Sequence, residues 1–364
     1  MPIEIESPEE RGFESLACNL TESSFADQTL GELGLDLGNL VLSYVDHRGH
    51  PGLRAAIAAD GAALRPEDVL VTPGAAAALF IAASTLLSPG THVVVIRPNY
   101  ATNLETPRAL GADLEILDLR FEDGWRIDLE RLDGMIRPDT AYVSLTCPHN
   151  PTGGMMTRAE LDGAVALVER RGTRLLFDET YREMGMPAPL PMAASLSERV
   201  IGVSSLSKTY GVPGIRIGWL VTRDRALAER FLAAKEQILI CGSALDEEIA
   251  ARIWPRRPAL LSMIQGRIAL HRRLVTEWMA RETLLEWVPP AAGVACFPRI
   301  RDGAGVDAPR FHEILNREHG TFVGPGHWFE QPQRYFRIGF GWPRTPELQQ
   351  GLANISSALR AANA

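Results

Sequence analysis

Cysteine is scarce and scattered. The four present, Cys18, Cys147, Cys241 and Cys296, form no C-x-x-C pair. Neither a disulfide framework nor a zinc knuckle is expected, and a reducing cytoplasm fits such usage best. Runs of like charge are also missing: 37 Lys and Arg stand against 45 Asp and Glu, a net charge of −8, with no stretch that marks a basic arm or an acidic tail. Nucleic acid is therefore not an expected partner. No apolar run approaches the ~20 residues of a membrane-spanning helix. The first residues carry Glu4, Glu6, Glu9 and Glu10 where a secretory signal would have a basic start and an apolar run, so no signal peptide is expected. Internal repeats and low-complexity tracts are absent. What remains is an ordinary globular composition, 46% hydrophobic and 23% charged over 364 residues, enough for one large core or two unequal domains.

Read in order, residues 1–40 show weak periodicity and are expected to form an irregular arm. Turn residues from Tyr44 to Pro51 lead into a helix at 51–59, with Leu53 and Ile57 on one face. The pattern then alternates. Strands are expected at 69–71, 92–96, 113–117, 140–145, 174–177, 200–203 and 215–221, and helices at 76–87, 102–110, 129–136 and 158–171. Short apolar strands between amphipathic helices indicate an α/β fold with a mainly parallel sheet covered on both faces. Such sheets bind ligands at the carboxyl ends of their strands. Gly74, Asn99-Tyr100, His149-Asn150, Asp178 and Lys208 all fall at those ends. Beyond Trp219 a helical stretch at 224–253 opens on Asp224 as N-cap, breaks at Pro255 and Pro258, and resumes as a long helix at 260–281. A strand near 293–300, a helix at 309–318, a strand at 335–339 and a helix at 345–362 complete a smaller α/β unit.

One stretch concentrates the chemistry. Residues 204–219 place Lys208 among Ser204, Ser205, Ser207 and Gly211, with Arg216 eight positions on. A lysine amine can condense with an aldehyde to a Schiff base, and a serine hydroxyl and a guanidinium fork can hold phosphate oxygens. Other signatures accompany it: Tyr44 with Gly49 and Leu53-Arg54, Pro73-Gly74-Ala75, Pro98-Asn99-Tyr100, Pro148-His149-Asn150-Pro151-Thr152-Gly153, Asp178-Glu179-Thr180-Tyr181, Gly324-Pro325-Gly326 and Arg337-Ile338-Gly339. In this order and over nearly the whole chain, they resemble the class I/II aminotransferase family of pyridoxal-phosphate enzymes.

That resemblance implies the type I pyridoxal-phosphate fold: a large domain at 41–258 built on a seven-stranded sheet, a connector helix and small domain at 259–364, and an arm at 1–40 that covers the active site. It implies pyridoxal 5'-phosphate as cofactor, with Lys208 as its covalent anchor and then the base that carries the substrate proton, through aldimine, quinonoid and ketimine intermediates. Asp178 would pair with the protonated ring nitrogen, Asn150 and Tyr181 with the ring oxygen, and Tyr100 would stack on the ring. Ser205, Arg216 and the backbone N–H groups of Gly74, Ala75 and Ala76 would cradle the phosphate; the two alanines stand where relatives often carry a hydroxyl. Tyr44 would reach the neighbouring subunit's phosphate, implying a homodimer with composite sites. Arg337, helped by Asn150, would grip the substrate carboxylate.

The arm departs from the family pattern. Asn19-Leu20-Thr21-Glu22-Ser23 replaces the expected glycine-containing apolar cover, and Glu22 is a candidate for binding a cationic substrate side chain. A subgroup resembling capreomycidine synthase shares the cofactor signatures yet performs elimination and cyclisation on hydroxyarginine-type substrates, so that chemistry stands beside transamination. A non-catalytic cofactor-sensing module would carry a DNA-binding domain ahead of Tyr44. Only about forty residues, acidic in character, precede that tyrosine.

Overall fold

The computed structural model describes residues 16–184 and 188–363, together with Glu10 and Gly12; the acidic Glu4, Glu6 and Glu9 lie outside them. The arm expected to be irregular contributes a strand, β1 (Cys18–Leu20). Helix α1 (Pro51–Ala59) follows, capped by the His50 imidazole, which accepts from the Leu53 N–H at 3.1 Å.

Strand β2 (Val69–Pro73) runs directly into α2 (Gly74–Leu86). The alternation continues through β3 (His92–Arg97), α3 (Ala101–Ala109), β4 (Asp113–Asp118), α4 (Leu129–Met135), β5 (Tyr142–Thr146), α5 (Arg158–Arg171), β6 (Arg174–Asp178), β7 (Val200–Ser205) and β8 (Ile217–Val221). Local chemistry sets these boundaries. The Asp128 carboxylate caps α4, Thr157 and Glu160 form a reciprocal capping box on α5, and Gly172 ends that helix in the left-handed region.

The seven strands order as β2-β8-β7-β6-β5-β3-β4. Only β8 runs against the rest, antiparallel to both of its neighbours. Alternate residues face opposite layers: Val94, Ile96, Val143, Leu145, Leu175 and Phe177 join one core, and Val93, Val95, Tyr142, Leu176, Ile201 and Val203 the other. Burial on both faces explains why these strands read as continuous apolar runs.

The helical stretch after Trp219 is two helices, α6 (Arg225–Ile238) and α7 (Ala244–Ile253). Ser243 caps the second, so a new helix start interrupts what periodicity alone reads as one. Pro255 lies in a 3-10 turn, and Pro258 sits in the first turn of α8 (Arg257–Met279), where its missing N–H costs nothing. The strand expected near 293–300 is two short ones in different sheets. With β9 (Leu285–Glu286), β10 (Ala295–Cys296), β11 (Arg299–Ile300), α9 (Ala308–Arg317), β12 (Thr321–Pro325), β13 (Phe336–Gly339) and α10 (Thr345–Ala361), the chain forms a sheet ordered β1-β12-β13-β10 and a β9–β11 pair. Strand β12 was not expected from the sequence. Its glycine and proline, at the last two of five positions, dilute the period-two pattern.

Among the described residues no helix is long and apolar enough to cross a membrane, and no cluster of His, Cys, Asp and Glu could hold a metal ion.

Candidate active site

The carboxyl edge of the seven-stranded sheet collects the candidate residues, and strand direction explains how. Because β8 is reversed, its first residue pairs with the last of β2, Ile217 with Pro73, while Gly218 pairs with Ser205 at the end of β7. Arg216, immediately before β8, is thereby delivered between the start of α2 and the loop after β7. Gly74 has φ +78°, and a methyl group there would come within 2.5 Å of an Arg216 guanidinium nitrogen. Helix α2 opens with no side-chain cap. The uncapped start of α2, with the free first-turn N–H groups that any helix has, thus lies against the Arg216 guanidinium, the chemistry of an anion cradle. Ser205 is buried beside it at the end of β7.

Asp178 ends β6 and pairs in register with Thr146 of β5 and Val203 of β7. It is buried, and its carboxylate accepts from the Thr180 N–H at 3.1 Å and the Thr180 hydroxyl at 2.7 Å. Desolvation raises its pKa, while bonds from Thr180 and Asn103 oppose the rise. The groups that act on its charge are these neutral donors, with no cationic side chain among them. A buried carboxylate supplied with neutral donors matches a ring bearing a protonated nitrogen. Behind it lies a polar ladder: Asn103 receives the Ser144 hydroxyl at 3.2 Å and donates to Asn99 at 3.2 Å, which also accepts from Thr146 at 3.1 Å.

Arg337, on β13, donates to the Asn150 side-chain oxygen at 2.9 Å and to the Thr21 carbonyl. Tyr181 is buried between these groups. Burial pushes its phenol up to about 12, against a Ser23 hydroxyl bond and the positive charge of Arg337. Glu22 is half-buried and close enough to Tyr181 for its charge to be felt there. Its backbone carbonyl lies where a methyl on Gly339 would stand, 1.8 Å away. The arm then binds the lysine loop: the Phe25 N–H donates to the Lys208 carbonyl and the Gln28 N–H to the Gly211 carbonyl, both at 2.8 Å. Tyr100 caps α3 and remains 41% exposed. Tyr44 is 83% exposed.

Three contributors escaped sequence reading. Asn103 lies in the first turn of α3 and Asn99 just ahead of it, so no helical spacing links the two in the sequence. Thr180 follows Asp178 by two, the spacing of a local side-chain turn. Ser23 carries no local signal, since only the fold brings the arm to Tyr181. Taken together, the uncapped helix with Arg216 and the buried Asp178, bonded by neutral donors, fit a phosphorylated pyridine cofactor.

The chain belongs to the class I and II aminotransferase family, whose profile matches residues 26–355, and it is an enzyme with the type I pyridoxal-phosphate fold. It is 34% identical over 356 residues to the capreomycidine synthase of Streptomyces vinaceus, spanning 94% of this chain and 89% of that protein. It is 31% identical over 304 residues to the arginine–pyruvate transaminase of Pseudomonas aeruginosa, covering 79% of this chain and 74% of the relative. A PLP-dependent aminotransferase of Streptococcus suis superposes with a TM-score of 0.89 at 28% identity, over 97% of this chain and 96% of that one. The PLP-dependent cyclase OrfR gives the same score and identity, with 99% of each chain covered.

Proposed function

We propose that this enzyme binds pyridoxal 5'-phosphate and transfers the amino group of an α-amino acid to a keto acid. The observation that carries this reading is the buried Asp178, bonded by neutral donors, on the same sheet edge as the Gly74–Arg216 pair. The cofactor, when bound, supplies an aldehyde that captures amines and a ring that takes up the electron pair left at the substrate's Cα. Lys208 would anchor it and, once displaced, move the proton at Cα. Asp178 would hold the ring N–H, Asn150 and Tyr181 the ring oxygen, and Tyr100 would cover the ring face. Ser205, Arg216 and the amides of Gly74, Ala75 and Ala76 would bind the phosphate, with Tyr44 of a second copy completing it in a homodimer. Arg337 would bind the α-carboxylate through its guanidinium fork. The proposed division is an arm at 1–40, a large domain at 41–258 and a connector with small domain at 259–364, in a cytoplasmic protein.

Elimination and cyclisation is the second reading, favoured by the 34% identity to a capreomycidine synthase across 94% of the chain. In both readings Glu22 would hold a cationic side chain, since it lies on the arm segment that meets Tyr181 and β13. The test is a screen of holoenzyme against amino acids, including arginine and its hydroxylated derivatives, with product masses recorded. Transamination gives a keto acid and requires a keto acceptor; a cyclised product without an acceptor would replace the first reading by the second. In the same screen Glu22→Gln is expected to raise KM about tenfold or more for arginine-like substrates, the loss of one charge-assisted contact. Equal effects on neutral substrates would remove Glu22 from the site.

A further inference from the structure

The chain contains only two lysines, Lys208 and Lys235, among its 37 Lys and Arg residues. Lys235 lies on α6 and is fully buried, its Nζ donating to the His47 carbonyl at 2.6 Å. Glu247, on α7 and equally buried, accepts from the His50 N–H at 2.6 Å. Arg54 closes a third side, donating to the Gly49 carbonyl at 3.0 Å and to the Asp46 carboxylate at 3.2 Å. At the rim His47 meets Glu236 at 2.6 Å and Arg48 meets Glu229 at 2.7 Å.

Backbone groups of three residues in one short turn thus end on buried charged side chains. Burying an ammonium and a carboxylate is unfavourable unless each is well bonded. Charge-assisted bonds of this kind hold backbone more firmly than neutral ones. The turn they hold comes directly after Val41, Leu42 and Tyr44, which are 75%, 78% and 83% exposed. A tyrosine so exposed takes its position from the anchored turn two residues on, not from packing within its own chain.

We propose that Lys235 and Glu247 are positioning residues for the active site of a second copy of this chain, fixing the 46–50 turn so that Tyr44 meets the neighbour's cofactor phosphate. The inference rests on the shared-site reading above. It is tested with tagged heterodimers of a Lys235→Met chain and a Lys208→Ala chain at limiting pyridoxal phosphate. The cofactor linkage to Lys208 is trapped by borohydride reduction and read by mass on each chain. In Lys235→Met homodimers the cofactor concentration for half-occupancy is expected to rise roughly tenfold, as for a lost bond to a charged group. In the heterodimer it returns to the parental value, because the Lys208→Ala chain supplies an undisturbed Tyr44. Tyr44→Phe is taken through the same series. If Tyr44→Phe is weakened and rescued in trans while Lys235→Met is unchanged or not rescued, the positioning role is overturned and the shared site stands. If Tyr44→Phe is neither weakened nor rescued, the shared site falls and the inference with it. Should Lys235→Met alone fail to fold, Lys235→Met combined with Glu247→Gln, which leaves no lone buried charge, takes its place.

Discussion

Two buried titratable groups flank Asp178 and Asn150 and pull stability in opposite directions with pH. Glu179 accepts from the Ala193 N–H at 3.1 Å, and desolvation pushes its carboxyl from 4.5 up to about 7. Between those pH values the folded chain holds a proton that the unfolded chain has lost, so stability falls as pH rises. His149 bonds the Pro98 carbonyl at 2.9 Å and the Thr152 hydroxyl at 2.7 Å, and desolvation pulls it from 6.5 down to about 4. There the unfolded chain holds the extra proton, and stability rises with pH. Each slope reaches at most about 1.4 kcal/mol per pH unit, and the two oppose each other where they overlap. Thermal unfolding of Glu179→Gln between pH 5 and 6 is therefore expected to show stability climbing with pH more steeply than the parent, by about 1 kcal/mol per unit. A profile parallel to the parent's would contradict this account.

Among the elements, β8 and the arm decide the site's shape. The reversal of β8 places Arg216 against Gly74; a parallel strand there would carry that loop to the opposite edge of the sheet. The arm enters as β1 beside β12, then crosses β13 so closely that Gly339 has no room for a side chain. Gly339→Ala would press a methyl into the backbone at Glu22, and overpacking against backbone costs about 1–3 kcal/mol. The expected result is a lower Tm together with faster proteolysis near Thr21. Parental values for both would show that the arm is not held there. Helix α2 and the strand ends were legible from short motifs, because glycine, proline and capping residues act locally. Strands β1 and β12 were not, since each is short and is held by a neighbour distant in sequence.

At the scale of the whole molecule, Glu330, beyond β12, binds both Arg97 and Arg108, joining the part of the chain that carries Arg337 to the mouth of the seven-stranded sheet. The exposed apolar residues near Tyr44, Val41 and Leu42, would form part of the face that meets the second copy proposed above. Leu42→Asp, at a position 78% exposed, is expected to convert a dimer to monomers in light scattering and to weaken cofactor retention. An unchanged mass would remove this face from the interface.

The sequence by itself determined the family, the alternation of strands and helices, and the residue types at each strand end. Those signals are local: periodicity, turn formers, and a lysine, an aspartate and arginines in recognisable surroundings. Only the tertiary structure decided that one strand is reversed, that Ser23 and Glu22 come to Tyr181, that Asn103 lies behind Asp178, and that Lys235 and Glu247 anchor the turn after Tyr44. The physical reason is the same in each case. These contacts join segments tens to hundreds of residues apart, and no periodicity within a segment records which distant neighbour its backbone and charges will meet.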